Sequence, residues 1–143
     1  MEVTFDFSSG DVLIEKVRIS IDTSCEILPN LNGGFMALDE PDKIKRSFQS
    51  RQKFTTLSAE ASLVVDVTAG KIASICILFD EINFFEKSIL ESKIIRRFEK
   101  KYGISVKIRS PSVGEIGNFA WGSAAFWYHH RLGDLSLCFI YND

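Results

Sequence analysis

The hydrophobic residues of this chain recur with two different periods, and the sharpest change of period falls between residues 62 and 102. Ser62–Thr68 (SLVVDVT) and Lys71–Phe79 (KIASICILF) are rich in β-branched residues and flank Ala69-Gly70, the composition of an antiparallel hairpin closed by a tight turn. The period then lengthens. Ser88-Ile-Leu-Glu91 has the form of a capping box, and Ile89, Leu90, Ile94, Ile95, Phe98 and Tyr102 fall on one stripe. Lys100, Lys101 and Gly103 supply the stop signals, so the pattern predicts one long helix over about residues 86–102.

Period two returns on both sides of this unit. Val3, Phe5 and Phe7 alternate with Glu2, Thr4 and Asp6, and Val17, Ile19 and Ile21 alternate with Lys16, Arg18, Ser20 and Asp22. These two strands are expected to pair across the turn residues Ser8–Asp11. Between 24 and 59 no period persists, and Pro29, Asn30, Asn32, Gly33, Gly34 and Pro41 punctuate a long loop, with Asp42–Phe48 as a candidate short helix because Ile44 and Phe48 stand at i, i+4. After the helix, Ile104–Ile108 reads as a strand, Ser110–Glu115 as a loop, Phe119–His130 as a strand, Arg131–Asp134 as a turn and Leu135–Tyr141 as the last strand. The expected fold is therefore α+β: a single domain over 1–143, mainly a curved antiparallel sheet packed on one long helix, in the order β-β-loop-β-β-α-β-β-β.

Composition adds bounds to this outline. A chain of 143 residues can bury a core without staples, and twelve Phe mean either a core built from aromatic volume or rings left on the surface as partner anchors. A net charge of −2 gives little long-range attraction for nucleic acid or anionic lipid. No apolar run approaches a membrane span and the N-terminus carries no basic leader, so the expected place is the cytoplasm, with no membrane partner. Cys25, Cys76 and Cys138 form no C-x-x-C pair and are expected to be free thiols in a reducing compartment.

Candidate chemistry is sparse. His129 and His130 are adjacent, so on a strand they face opposite ways and cannot readily share an ion. The carboxylates at Asp39, Glu40, Asp42, Glu60, Asp66, Asp80 and Glu81 flank turns and helix starts. Nucleophile elbows and phosphate loops are absent from the sequence, and neither a catalytic residue, a cofactor nor a metal ligand is expected. Lys43–Phe54 holds five basic residues and no acid, with Phe48 and Phe54 interleaved, a composition that can track a phosphate backbone. The acids at 39, 40 and 42 offset it, which disfavours nucleic acid and favours a solvated loop or a patch that meets an acidic protein. Asn118–Tyr128 is the densest aromatic stretch. Regular alternation would put Trp121, Ser123, Ala125 and Trp127 on one face and Phe126 and Tyr128 on the other, and one of these faces then needs a cover beyond the helix.

A hairpin with a Gly turn, a helix ending Phe-Glu-Lys-Lys-Tyr-Gly103, strands carrying Trp121 and the closing Leu-Cys-Phe-Ile-Tyr141 resemble, over about residues 62–141, the small cytosolic immunity proteins of bacterial toxin systems, including contact-dependent inhibition. The resemblance implies a non-enzymatic protein that binds and blocks a cognate toxin domain. On that reading the long loop and the aromatic hairpin form the interface, with Trp121, Trp127 and Tyr128 as anchors and Lys45, Arg46 and Arg51 as basic contacts. Two alternatives stand beside it: a secretion-chaperone-like homodimer, and a small-molecule-binding protein or enzyme using His129 or His130 with an acid such as Asp80 or Glu115.

Overall fold

The computed structural model describes residues 1–31, 33–38, 44–80, 92–129 and 134–142. Within them the chain is mostly antiparallel sheet. Strands β1 (Val3–Asp6), β2 (Asp11–Ile14) and β3 (Val17–Ile19) form a small sheet in the order β1-β2-β3. A larger sheet of nine strands runs β4 (Phe35–Ala37), β5 (Lys45–Ser50), β7 (Ala59–Thr68), β8 (Lys71–Phe79), β12 (Asp134–Tyr141), β11 (Gly122–His129), β10 (Val113–Phe119), β9 (Lys107–Ser110), with β6 (Phe54–Thr56) paired to β7. Among the described residues helical backbone occurs in two segments, a 3-10 helix at Cys25–Asn30 and α1 at Lys93–Tyr102.

The hairpin of β7 and β8 forms as its alternation demands. Leu63, Val65 and Val67 face Ile77, Ile75 and Ile72, all buried, and the turn takes Ala69 and Gly70 to φ 51° and 81°. Two successive positive φ values define the primed turn whose twist suits a two-residue hairpin.

Five expectations are corrected. The helix is ten residues and starts at Lys93, where the Ser92 hydroxyl accepts from the Ile95 N–H at 3.4 Å; the Ser88–Glu91 box lies outside the described residues. The described residues of 24–59 are not one long loop, and the candidate helix at 42–48, of which 42 and 43 lie outside the described residues, is strand from Lys45 onward. They hold the 3-10 helix and β4, β5 and β6, and Lys45–Ser50 is a strand because Phe48 and Ser50 turn inward while Lys45, Ser47 and Gln49 turn outward. The strand expected over Phe119–His130 is two strands broken at Ala120-Trp121, and Ser110–Glu115, expected as a loop, is the turn and start of β10. At the break Gly122 is required, since a Cβ there would run into the Ile140 carbonyl oxygen. The N-terminal strands also do not pair directly, because β2 lies between β1 and β3.

The core lies between the small sheet, α1 and one face of the large sheet. Phe5 and Phe7 of the small-sheet hairpin meet Phe139 at 5.1 and 5.5 Å between ring centroids, and Phe98 of α1 meets Phe126 at 5.3 Å. The aromatic volume counted in the sequence is therefore largely spent inside.

Candidate functional site

Only one face of the large sheet is covered by these layers. The register of β4, β5, β7, β8, β12, β11 and β10 aligns the outward side chains into three rows. The first runs Ser62, Leu78, Ser136, Trp127, Val113; the second Met36, Gln49, Val64, Cys76, Cys138, Ala125, Glu115; the third Leu38, Ser47, Asp66, Ser74, Ile140, Ser123, and of these Ser62, Ser136 and Cys138 are buried. Of the nine large hydrophobics exposed among the described residues, five stand here: Met36 (48%), Leu38 (50%), Leu78 (36%), Trp127 (39%) and Ile140 (46%). Seven strands at about 4.8 Å spacing and three rows give a face roughly 30 Å by 15 Å.

Charge is confined to the margins. Asp66 is the acid nearest the centre, and it accepts hydrogen bonds from the Ser47 and Ser74 hydroxyls. Lys53 pairs with Asp80 at 2.9 Å and also donates to Ser62 beside the first row. At the far edge Arg109 binds Glu115 at 2.8 Å and holds that carboxyl below its ordinary range. The face therefore mixes apolar and hydroxyl side chains, with Asp66 and Glu115 the acids among its rows.

Cys76 and Cys138 occupy directly opposite positions on β8 and β12 and form a disulfide in the second row. This corrects the expectation of three free thiols; among the described residues Cys25 is the free cysteine. It also removes the thiol count as support for a reducing compartment. No helix among the described residues is long and apolar enough to cross a membrane.

The sequence-derived anchors separate. Trp127 lies on the open face between Ser136 and Val113. Tyr128 turns to the other side and packs against the core. Trp121 sits in the turn before β11, where its Nε1–H donates to the Phe7 carbonyl at 2.9 Å, its ring stacks on Phe119 at 5.1 Å, and Phe139 and Tyr141 close around it. The expected alternation put Trp121 and Trp127 together, and the break at Gly122 parts them. Lys45 and Arg51 are exposed on and just after β5, and the half-buried Arg46 guanidinium lies 4.8 Å over the Phe48 ring. Met36, Leu38, Leu78 and Ile140 escaped the sequence reading. Their signal, an apolar residue on the polar side of an alternating strand, was visible for Leu78 and Ile140 alone.

The candidate enzymatic groups are not assembled. His129 is exposed opposite Asp134, His130 lies outside the described residues, and Asp80 and Glu115 are each held in the ion pairs above. No metal-ligating cluster occurs among the described residues. A cleft of about 590 Å³ beside the last turn of α1 gathers Arg97, Lys100 and Lys101 against Thr55–Ser58. Its cations are partly spent on structure: Arg97 donates to the Leu57 carbonyl at 3.1 Å, holding a turn with positive φ at Leu57 and Ser58, and Lys101 pairs with Glu2.

Comparison of the chain with protein-family models, with curated proteins and with solved structures finds no match.

Proposed function

We propose that this protein is a non-enzymatic binding module that seats a partner protein on the open face of its large sheet, and that the partner is a bacterial toxin domain held inactive by the complex. The observation that carries the binding part is the clustering of the exposed Leu78, Trp127, Ile140, Met36 and Leu38 on the face of the large sheet turned away from the small sheet and α1. Sheet-borne Trp and aliphatic side chains ringed by polar contacts are the residue types and arrangement that carry interface energy. The toxin part is supported by the sequence resemblance to immunity proteins.

The test is capture of a stoichiometric partner from the native host by the tagged full chain, followed by growth of cells expressing that partner with and without the chain. The proposal expects the partner to be toxic alone and growth to be restored by wild-type chain but not by a folded Leu78→Asp, Trp127→Asp variant. A partner that is harmless by itself would sink the toxin reading, and one retained by the double variant would sink the open face as its seat.

A further inference from the structure

The two ends of the large sheet are unlike. β9 carries Lys107 and Arg109, and charged side chains on a short edge strand keep a second strand from pairing. β4 is Phe35-Met-Ala37, followed by Leu38, with no charge in it; Asp39 and Glu40, next in sequence, lie outside the described residues. Its backbone is half used. Gly34 accepts from the Arg51 N–H at 3.0 Å and Leu38 donates to the Ser47 carbonyl at 2.8 Å, so by antiparallel alternation Phe35 and Ala37 aim their N–H and C=O groups away from β5. No backbone hydrogen bond among the described residues reaches those groups.

Cations bracket this edge. Arg51 runs alongside Gly34, where a Cβ would come within 3.3 Å of its Cδ. Lys45 and Arg46 stand on β5 beyond the Ala37–Phe48 pair, with the Arg46 guanidinium already oriented by the Phe48 ring. Among the described residues none of the three forms an ion pair.

The geometry points to β4 as a strand-addition edge for an extended segment of the partner protein, apolar at alternate positions in its middle and carrying carboxylates at both ends. Backbone pairing to Phe35 and Ala37 supplies affinity, contacts with Met36 and Leu38 select the apolar side chains, and Arg51 at one end with Lys45 and Arg46 at the other select the acids. This deepens the open-face reading and rests on it, since Met36 and Leu38 belong to that face.

The test uses the full chain and a surface-displayed library of random linear nonapeptides, panned against wild type and against Ala37→Pro. Proline at 37 deletes an N–H that β5 does not use, so the sheet should persist while the edge is blocked. The expected result is a set of binders with acidic ends and alternating apolar centres whose affinity falls about tenfold or more on Ala37→Pro and on Arg51→Glu, with an unchanged circular dichroism spectrum. Should Ala37→Pro fail to fold, Leu38→Asp, which removes the apolar contact and repels the carboxylates of the segment, serves in its place. Failure to enrich any peptide sensitive to these variants overturns the proposal, as do binders whose ends are neutral or basic. Sedimentation showing a wild-type dimer that Ala37→Pro dissociates overturns it in favour of a second copy at the edge. Peptides that depend on Ala37, beside a captured partner indifferent to Leu78→Asp, Trp127→Asp, would leave β4 standing and remove the open face.

Discussion

Trp121 and Trp127 stand close in sequence and act in unlike ways. Trp121 ties the N-terminal hairpin to the large sheet through Phe7, and a Cβ at Gly10 would strike its ring, so its place is fixed from several sides. Trp121→Ala should therefore cost about 3 kcal/mol in urea unfolding, the low end of the range for aromatic truncation because the ring is half-buried. Trp127→Ala removes a ring that meets solvent, and should shift stability by no more than about 0.5 kcal/mol while weakening partner binding. Equal costs at the two positions would contradict the division. The cysteines give a second check at this scale. Alkylation of the unfolded, unreduced protein should modify one cysteine, Cys25, and all three only after reduction. Reduction should lower stability by about 2–4 kcal/mol, because the bond joins positions far apart in the chain.

Elements were legible in the sequence where the pattern was long and the turn chemistry explicit. The β7–β8 hairpin satisfies both conditions. Its turn can be improved: Ala69 bears a positive φ that Asn tolerates better, so Ala69→Asn should raise stability by about 0.5 kcal/mol in thermal or urea unfolding. β4, β5 and β6 were illegible for the opposite reason. β4 and β6 are three residues each, and β5 carries its alternation on Arg46, Phe48 and Ser50, of which only Phe48 is apolar, so no hydrophobic period exists to read. The helix was legible in kind and misread in extent. Ile94, Ile95 and Phe98 are its buried stripe, but Ser92 is the cap that starts it, and Ser92→Ala should cost about 1 kcal/mol measured by unfolding.

At the scale of the whole molecule, two tyrosines register the closure of the core. Burial pushes the Tyr102 phenol up to about 12 and moves Tyr141 upward as well; the Tyr102 oxygen accepts from the Phe5 N–H and the Tyr141 hydroxyl donates to the Gly10 carbonyl. Below the ordinary phenol value of about 10 both folded and unfolded chains hold these protons, so the contribution to stability is complete there. Between about 10 and 12 the unfolded chain releases them and the folded chain keeps them, so stability should fall as pH rises through that window. Phenolate absorbance followed alongside circular dichroism should show Tyr102 and Tyr141 ionising with unfolding, and ionisation well before any loss of structure would contradict their burial.

The open face was only half legible. Alternation in Phe119–His130 put Trp127 and Tyr128 on opposite faces without saying which face is exposed, and the face itself is assembled from seven strands whose register no local pattern specifies. Its partner decides the account. The most direct measurement is the affinity of the captured, purified partner for wild-type chain and for Leu78→Asp, Trp127→Asp, with both proteins shown to be folded. The account predicts a loss of at least about a hundredfold, the effect of placing two charges in the row that carries the proposed Trp127 anchor. An affinity unchanged within error would contradict it and move the binding surface elsewhere on the molecule.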